Sequence, residues 1–297
     1  MSFTQTYTLS SGYKLPAVGL GGYGLKGEEG EKAIVAALDD IGYRHVDTAE
    51  IYDTEIEFGN AMKVSKVPRE EIYVTTKVWN SNRTASRVVQ ACKDSLKRLK
   101  LSYVDLYLIH WPTTFEQGDD RTPRNEDGMV RMGSVPIEET WRAMESLVEA
   151  GLVRSIGVSN FSIPKLEKLL SYAKIKPAVN QIQAHPLFPQ NELVAWCKQH
   201  DILPVAYSPL GKPGLTSDPT ITKIAEELNI ATSSVLINWA IQRGTSPIPR
   251  SINPDRLKLN FELHHLSDEI MQRINALDSG RTKQDGPRDW PLDPFVD

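Results

Sequence analysis

Short apolar runs and amphipathic segments alternate along nearly the whole chain of 297 residues. The runs are rich in Val, Ile, Leu and Tyr, as buried strands are, and the segments between them repeat apolar residues with the helical period. The predicted strands cover residues 17–20, 43–47, 72–77, 104–109, 153–158, 178–182, 203–207 and 246–249. The predicted helices lie near residues 29–41, 55–64, 84–100, 136–150, 162–173, 190–200, 219–243, 253–261 and 267–278. Eight such strand-helix units predict an α/β fold in which a parallel sheet closes into a (β/α)8 TIM barrel.

The remaining segments have predictable places in such a barrel. Residues 6–10 and 13–16 flank Ser11-Gly12, which is a hairpin signal, so a hairpin is expected to cap the barrel before the first unit. The last predicted helix is an addition to the eight units. Three long loops, at 112–135, 209–219 and 279–297, are expected over the active-site face, since loops of this length are usually functional. No linker divides the chain, so residues 1–297 are expected to form a single domain.

Composition and charge are those of an ordinary globular protein, with 40% apolar residues, 24% charged residues and a net charge of -4. Basic residues are scattered among acids, so no nucleic-acid surface is expected. Cys92 and Cys197 fall in separate predicted helices and form neither a disulfide framework nor a metal motif. The N-terminus lacks the pattern of a secretory signal, and no apolar run is long enough to cross a membrane. We expect a cytoplasmic protein without membrane or nucleic-acid partners.

Ionisable side chains stand at the ends of three successive predicted strands. Asp47 ends the second strand, Lys77 ends the third, and His110 follows the fourth, while Tyr52 lies five residues beyond Asp47. Because the carboxyl ends of barrel strands converge on one face, these four side chains are expected to share a pocket.

These four groups suit the protonation of an oxygen that gains negative charge. A phenol is a weak acid, with an ordinary pKa near 10, and a nearby lysine cation would lower the pKa of Tyr52. Asp47 would keep Lys77 charged, and His110 would donate a hydrogen bond to the oxygen. The set contains no nucleophile beside a base and no metal constellation, so carbonyl reduction is better supported than hydrolysis. The alternative is a buried Asp-Lys ion pair that only holds the barrel together.

Residues 19–24 match the Gly-x-Gly-x-x-Gly pattern of a Rossmann-type dehydrogenase, with Asp47 at about the distance of a ribose-binding acid. Three acids, Glu28, Glu29 and Glu31, would then occupy the helix turn meant to receive a pyrophosphate. That reading is therefore the weaker alternative.

Tyr73 and Lys77 match the Tyr-x-x-x-Lys motif of short-chain dehydrogenases. The segment is β-branched, and in a strand the two Cα atoms would stand about 13 Å apart. Tyr73 is therefore expected to pack at the far end of the barrel.

Polar groups at the later strand ends predict a nucleotide site. Ser159, Asn160 and Gln181 could hold a carboxamide, and Tyr207 could stack on its ring. After the eighth strand, Arg250, Ser251 and Arg256 surround a predicted helix N-terminus. Guanidinium groups, backbone N–H groups and the helix dipole would all favour a phosphate there.

Six motifs spread over nearly 220 residues resemble one family. They are Gly42-Tyr-Arg-His-Val-Asp-Thr-Ala49 with Tyr52, Lys77-Val-Trp79, Asp105-Leu-Tyr-Leu-Ile-His-Trp-Pro112, Ile156-Gly-Val-Ser-Asn-Phe161, Asn180-Gln181, and Ile248-Pro-Arg-Ser251 with Arg256 and Asn260. In these motifs the chain resembles the aldo-keto reductases, closest to the fungal xylose reductase and glyceraldehyde reductase branch.

The resemblance implies an NADPH-dependent reductase of aldehydes and ketones. Tyr52 would be the proton donor, Lys77 and Asp47 would lower its pKa, and His110 would orient the carbonyl oxygen. The implied cofactor-binding residues are Gly22, Tyr23, Ser159, Asn160, Gln181, Tyr207, Ser208, Leu210, Arg250, Ser251, Asn253, Arg256 and Asn260. The implied substrate-binding residues are Tyr23, Trp79, His110, Trp111 and Trp290, with Phe295 as a further wall residue. The substrate would be a sugar aldehyde, a uronic acid or another small carbonyl compound, and the protein a monomer or weak homodimer.

Departures from the family pattern qualify these implications. Arg250 stands where the family usually has lysine, and with Ser251 and Arg256 it would bind the adenosine 2'-phosphate of NADPH. Leu259 stands where many relatives have a glutamate that contacts adenosine, which argues against the use of NADH. The loop after Ser208 is shorter than in aldose reductases, which implies faster cofactor release. Some family members are channel subunits that bind nucleotide without rapid turnover, and that remains an alternative function.

Overall fold

The apolar runs form two sheets in the computed structural model, which describes residues 5–211, 214–281, 287 and 289–291. A hairpin of two antiparallel strands, β1 (Thr6–Thr8) and β2 (Lys14–Pro16), comes first. Eight parallel strands follow. They are β3 (Leu20–Gly21), β4 (His45–Asp47), β5 (Tyr73–Val78), β6 (Val104–Ile109), β7 (Val153–Ser159), β8 (Val179–Gln183), β9 (Leu203–Tyr207) and β10 (Ser246–Pro247).

The eight parallel strands lie in chain order, from β3 to β10, each bonded to the next. The two outer strands then meet, because the Gly19 N–H donates to the Pro247 carbonyl at 3.0 Å and the Gly21 N–H to the Pro249 carbonyl at 2.9 Å. A Cβ on Gly21 would lie 2.8 Å from the Ile248 carbonyl oxygen, so this close approach requires glycine. The predicted (β/α)8 barrel is confirmed. The Rossmann alternative is wrong, since the glycine-rich stretch serves to close the barrel.

Helices connect the successive strands, and two more follow the last strand. They are α1 (Gly27–Ala36), α2 (Glu55–Val64), α3 (Ala85–Leu99), α4 (Ile137–Glu149), α5 (Ile163–Leu170), α6 (Asn191–Gln199), α7 (Pro219–Leu228), α8 (Thr232–Gln242), α9 (Pro254–Leu259) and α10 (Asp268–Asn275). Of these, α10 is the predicted additional helix, and it packs against α7.

The single helix expected over residues 219–243 is wrong, because the segment forms α7 and α8 with a turn between them. Asn229 ends α7 in the left-handed conformation, with φ 50°, which asparagine tolerates better than most residues. The first and last barrel strands are also shorter than expected. At the last strand the reason is chemical, since Pro247 and Pro249 have no N–H to donate to a neighbouring strand.

The hairpin plugs the amino end of the barrel. Leu9 and Leu15 are buried there against Tyr73, Leu106 and Val205, in one apolar cluster. Tyr73 thus packs at this end, as expected, while Lys77 lies four residues further along the same strand. We call the hairpin side the plugged end and the side of the carboxyl ends of the strands the open end.

No helix within the described residues combines the length and apolar character needed to cross a membrane.

Candidate active site

Four ionisable side chains meet at the open end. Asp47 ends β4, Lys77 lies near the end of β5, and His110 directly follows β6, while Tyr52 ends a short 3-10 turn, Glu50–Tyr52. Asp47, Lys77 and His110 are buried, and Tyr52 is half-buried. Asp47, Tyr52 and His110 line a cavity of about 670 Å³, and Lys77 lies behind them. The structure therefore brings together the four residues that the sequence placed in one pocket.

Asp47 and Lys77 form a buried ion pair in which both carboxylate oxygens and the ammonium are hydrogen-bonded. The Lys77 ammonium donates to Asp47 Oδ1 at 2.5 Å and to the Thr48 carbonyl at 2.7 Å. Gln181 Nε2 donates to the other carboxylate oxygen, Asp47 Oδ2, at 2.7 Å. Burial raises the pKa of Asp47 and lowers the pKa of Lys77, while their mutual attraction opposes both shifts. The pair is rigid because each of its partners is held by a second group.

The phenol of Tyr52 lies within reach of the His110 ring, with 3.4 Å between the hydroxyl oxygen and Nε2. Burial raises the pKa of Tyr52 well above its ordinary value, and the negative charge of Asp47 raises it further. The net shift is therefore upward and not downward as expected, because burial and Asp47 outweigh the attraction of the Lys77 cation for the phenolate. The ammonium is bonded to Asp47 and lies 5.0 Å from the centre of the Tyr52 ring. Tyr52 stays protonated at neutral pH.

The imidazole of His110 is neutral. Burial lowers its pKa well below the ordinary value, and the positive charges of Lys77 and Arg83 lower it further. Within the described part of the chain, His110 Nδ1 has no hydrogen-bond partner. Nε2 is thus the ring nitrogen that faces Tyr52 and the cavity.

The polar residues expected to hold a carboxamide line the same cavity and are bonded to one another. Asn160 Nδ2 donates to the His110 carbonyl at 3.0 Å, and Asn160 Oδ1 accepts from the Tyr207 hydroxyl at 2.8 Å. Ser159 Oγ donates to the Gln181 carbonyl at 2.9 Å. Asn160 adopts the left-handed conformation, with φ 65°. These bonds fix the orientation of the amide groups at the ends of β7 and β8.

Arg250 lines the other end of the cavity. Its Nε donates to the Tyr23 carbonyl at 3.1 Å and its Nη2 to the Gly24 carbonyl at 3.3 Å. The guanidinium therefore joins the segment after β10 to the segment after β3. Gly22, Tyr23, Ser208 and Leu210 line the cavity as well.

The other residues expected near a phosphate lie beyond the cavity lining. These are Ser251, Asn253, Arg256 and Asn260. Asn253 is the N-cap of α9, and its side-chain oxygen accepts the backbone N–H of Arg256 at 3.0 Å. Ser251 Oγ accepts the backbone N–H of Asn253 at 3.1 Å. Two backbone N–H groups at this helix start are therefore already bonded within the protein, and the arginine side chains are further donors for an anion.

Aromatic rings form one wall of the cavity. Trp79 and Trp111 line it, and Tyr23, which is 70% exposed, packs edge-on against Tyr52 at 5.2 Å between ring centres. Trp290 packs behind this wall, 5.1 Å from the Trp111 ring and 4.9 Å from Phe115. Phe295, expected as a wall residue, lies outside the described residues.

The loop at 112–135 lies against this aromatic wall, as expected. Trp79 Nε1 donates to the Arg121 carbonyl at 2.6 Å, and the Arg121 guanidinium donates to the Asp53 carboxylate at 2.5 Å. Arg124 pairs with Asp289 at 2.6 Å, which joins the loop to the C-terminal segment. Parts of the loops at 209–219 and 279–297 fall outside the described residues.

Two charged residues near the site were missed from the sequence. Glu50 accepts the Trp79 backbone N–H at 2.9 Å and the Asn82 side chain at 2.5 Å, so it fixes the end of β5. In the sequence, only the position of Glu50 between Asp47 and Tyr52 indicated that it lies near the site. Arg83 is fully buried beside the loop that follows His110, although its polar surroundings in the sequence suggest a surface residue. Among the described residues, no three His, Cys, Asp or Glu side chains are grouped to hold a metal ion.

Comparison with known proteins is consistent with this geometry. Residues 17–279 match the model of the Aldo/keto reductase family. The chain is 42% identical to "Glycerol 2-dehydrogenase (NADP(+))" of Hypocrea jecorina, over 94% of this chain and 93% of that protein. It is 40% identical to "Aldo-keto reductase family 1 member A1-A" of Danio rerio, over 99% of each. Among solved structures, the aldose reductase of Schistosoma japonicum superposes with a TM-score of 0.90 at 36% identity, covering 93% of each chain.

Proposed function

The chain belongs to the aldo/keto reductase family and is an oxidoreductase, and on that premise we propose that it reduces small aldehydes and ketones with NADPH. The observation that carries the proposal is the pair formed by the Tyr52 hydroxyl and His110 Nε2, 3.4 Å apart in a cavity that extends to Arg250. A carbonyl oxygen placed between the two groups would contact a proton donor and a hydrogen-bond donor together. The resemblance seen in the sequence to the fungal branch of the family agrees with the relative from Hypocrea jecorina.

The residues present fit a nicotinamide cofactor. The catalytic part of the cavity carries neutral amide and hydroxyl groups from Ser159, Asn160 and Gln181, together with the Tyr207 ring. Such groups suit an uncharged carboxamide and a flat ring. The opposite end carries the Arg250 guanidinium, which suits a phosphate. When bound, the cofactor would supply the hydride for the carbonyl carbon.

Tyr52 is the proposed proton donor. Its raised pKa keeps the hydroxyl protonated at neutral pH, and the proton is needed only when the carbonyl oxygen becomes an alkoxide. An alkoxide is a far stronger base than a phenolate, so the transfer is downhill even from a buried phenol. The Asp47–Lys77 pair places a fixed cation below the ring, where it can stabilise the phenolate that remains.

His110 is the proposed orienting group. As a neutral imidazole it carries one N–H, and Nε2 faces the cavity beside the Tyr52 hydroxyl. An N–H at Nε2 would hold the carbonyl oxygen at the distance needed for proton transfer from Tyr52. The oxygen would then be fixed before its charge develops.

Arg250 supports NADPH over NADH. It is a cation that lines the cavity, and its two present acceptors are neutral carbonyl oxygens. A phosphate would be a better acceptor than either, because hydrogen bonds between charged groups are stronger than those to neutral carbonyls. Ser251 and Arg256 lie next along the chain and would complete the 2'-phosphate site. The name of the relative from Hypocrea jecorina also includes NADP(+).

The proposed substrate is a small carbonyl compound, such as a sugar aldehyde or a uronic acid. Trp79, Trp111 and Tyr23 would contact it, since aromatic faces accept both apolar groups and the C–H faces of sugars. Relatives named for glycerol and aldose chemistry support this class. We propose a single-domain protein that works in the cytoplasm as a monomer or weak homodimer.

The test is turnover of the purified chain with NADPH and a panel of sugar aldehydes, uronic acids, aromatic aldehydes and α-diketones. We expect steady NADPH oxidation with at least one class, and stoichiometric formation of the alcohol. Tight NADPH binding without turnover on any of them would instead favour the nucleotide-binding channel-subunit alternative.

A further inference from the structure

Arg83 is a fully buried guanidinium at the substrate side of the cavity, and the reaction proposed above does not use it. Its Nη1 donates to the carbonyl oxygens of Trp111 at 2.8 Å and Thr113 at 3.3 Å. Its Nε donates to Thr140 Oγ1, on α4, at 3.4 Å, and that hydroxyl donates back to the Arg83 carbonyl at 2.7 Å. The side chain therefore joins the segment after β5, the loop that follows His110, and α4.

No carboxylate of the described chain pairs with this cation, and its Nη2 has no hydrogen-bond partner there. By contrast, two other arginines form ion pairs with buried carboxylates. Arg98 bonds Glu55 at 2.6 Å, and Arg69 bonds Asp105 at 2.8 Å. Burial lowers the pKa of Arg83 to about 9, so it is still charged at neutral pH. An unpaired buried charge costs stability, and such groups are concentrated at functional sites.

Arg83 holds one of two successive carbonyl groups at the catalytic histidine. Asn160 binds the carbonyl of His110, and Arg83 binds the carbonyl of Trp111, the next residue. The Trp111 ring lines the cavity and stacks beside the His110 ring, with 6.4 Å between ring centres. The Arg83 guanidinium, which does not line the cavity, thus fixes the position of Trp111 by binding its main-chain carbonyl.

The charge of Arg83 also acts on His110. The groups that face this imidazole are the Tyr52 hydroxyl from the 3-10 turn, Lys77 from β5 with its partner Asp47, and Arg83. Burial is the largest cause of the lowered pKa of His110, and the two cations add to it. Two positive charges therefore oppose protonation of the ring.

We propose that Arg83 is a positioning residue for the carbonyl substrate, which fixes the Trp111 wall through its main-chain oxygen and brings a second positive charge to the residue that follows His110. This inference rests on the proposed reductase function. It concerns binding of the carbonyl compound and not of the nucleotide, because Arg83 contacts the loop on the substrate side.

Steady-state kinetics of Arg83→Met and Arg83→Lys test the positioning role. We expect the KM for an aromatic aldehyde to rise roughly tenfold in Arg83→Met, since displacement of a positioning group weakens productive binding. The Kd of NADPH, from quenching of protein fluorescence, should stay within about twofold of the wild-type value. Arg83→Lys, which retains the charge and a donor, should restore most of the KM. An unchanged KM in Arg83→Met, or a lysine variant as impaired as the methionine variant, overturns the proposal.

Arg243→Met is the matched control. Arg243 is a half-buried guanidinium that donates to the Pro189 carbonyl at 2.9 Å and to Asn191 Oδ1 at 2.7 Å, and it also has one unpartnered nitrogen in the described structure. It lies away from the cavity, so its loss should lower Tm and leave the KM unchanged. A rise in KM equal to that of Arg83→Met would mean that general destabilisation causes the effect, and would overturn the proposal.

Nuclear magnetic resonance titration of the His110 ring tests the charge without any turnover. The wild-type ring should show no titration between pH 5 and 8, and its midpoint should move upward in Arg83→Met. An unshifted midpoint contradicts the electrostatic role. If Arg83→Met does not fold, Arg83→Gln keeps a donor for the Trp111 carbonyl, lacks the charge and serves the same titration. A wild-type protein that reduces no carbonyl compound would refute the proposed function, yet the titration would still decide the effect of Arg83 on His110.

Discussion

The plugged end and the open end of the barrel are built from the same strands with opposite chemistry. Along β5, Tyr73 packs against the hairpin at the plugged end, and Lys77 forms an ion pair at the open end. Leu9 and Leu15 fill the plugged end with apolar surface, whereas the open end holds buried charges and left-handed residues such as Asn160 and Ser208. Apolar packing that stabilises the fold is thus concentrated at the plugged end. Buried charges and left-handed residues, which cost stability, are concentrated at the open end. Substitutions at the two ends should separate stability from activity.

The largest effect is expected at the open end, from Lys77→Met. The change leaves Asp47 buried without its cation, and breaking a buried ion pair in this way typically costs about 3–5 kcal/mol. Reductase activity should fall below about 1% of wild type, because the phenolate of Tyr52 loses its fixed cation. Urea unfolding and steady-state rates measure the two losses.

The double variant Asp47→Asn with Lys77→Met is the control for Lys77→Met. It removes both charges, so it should recover much of the stability and none of the activity. Recovery of activity in the double variant would contradict a role for the pair in the reaction.

Leu15→Ala is the counterpart at the plugged end. Leu15 is completely buried in the hairpin, and truncation of such a side chain typically costs about 2–5 kcal/mol. The KM values for NADPH and the aldehyde should not change, since the cavity lies at the other end. Lys14→Ala, an exposed neighbour in the same strand, should change neither property. A large rise in either KM for Leu15→Ala would show that the two ends are coupled.

Acid should destabilise the protein through a histidine inside the barrel. His45 is buried, and its Nε2 shares a hydrogen bond of 3.0 Å with Thr75 Oγ1. Burial lowers the pKa of His45 to about 3. Between its unfolded pKa, near 6.5, and about 3, the unfolded chain binds a proton that the folded chain does not. Stability is therefore lost as pH falls through this window, by about 1.4 kcal/mol per pH unit for this one group.

Urea unfolding at pH 7.5 and pH 5 checks this expectation. His45→Gln should lose less stability than wild type between the two values, whatever its stability at pH 7.5. His265→Gln, at an exposed position, should behave as wild type does. Equal losses in His45→Gln and wild type would show that His45 does not titrate as stated.

The smallest expected effect concerns Arg250. Arg250→Ala frees the Tyr23 and Gly24 carbonyls for any cofactor, but removes a charged partner only for the 2'-phosphate of NADPH. The KM for NADPH should rise roughly tenfold more than the KM for NADH, since hydrogen bonds between charged groups are typically worth about 1.5–3 kcal/mol. The ratio of the two KM values isolates the phosphate contact. Equal increases for both cofactors would remove this role.

Much of the fold followed from the sequence, because local patterns determine it. Eight apolar runs specified the parallel strands, and the convergence of strand ends specified the meeting of Asp47, Lys77 and His110. The break at Asn229 was missed, because the helical period continues through α7 and α8 while one left-handed residue separates them. The two strands at the barrel seam were predicted, but their shortness was missed, since their length depends on the closure between Gly21 and Pro249.

The electrostatics of the site could not be predicted in the same way. A lowered pKa of Tyr52 was expected from the proximity of Lys77, but the net direction is set by burial and by the charge of Asp47, which raise it. Arg83 resembles a surface residue in sequence, and only the three-dimensional arrangement shows it beneath Trp111. Burial and orientation arise from packing among distant segments, which no local pattern encodes.

Tyr52→Phe tests the central claim most directly. The change removes one hydroxyl, keeps the ring that packs against Tyr23 and the Lys77 ammonium, and leaves the cofactor side of the cavity intact. We predict an NADPH Kd equal to that of wild type and a kcat for aldehyde reduction at least about 100-fold lower, as expected for loss of a general acid. Reduction by Tyr52→Phe at a rate near that of wild type would contradict the assignment of Tyr52 as the proton donor.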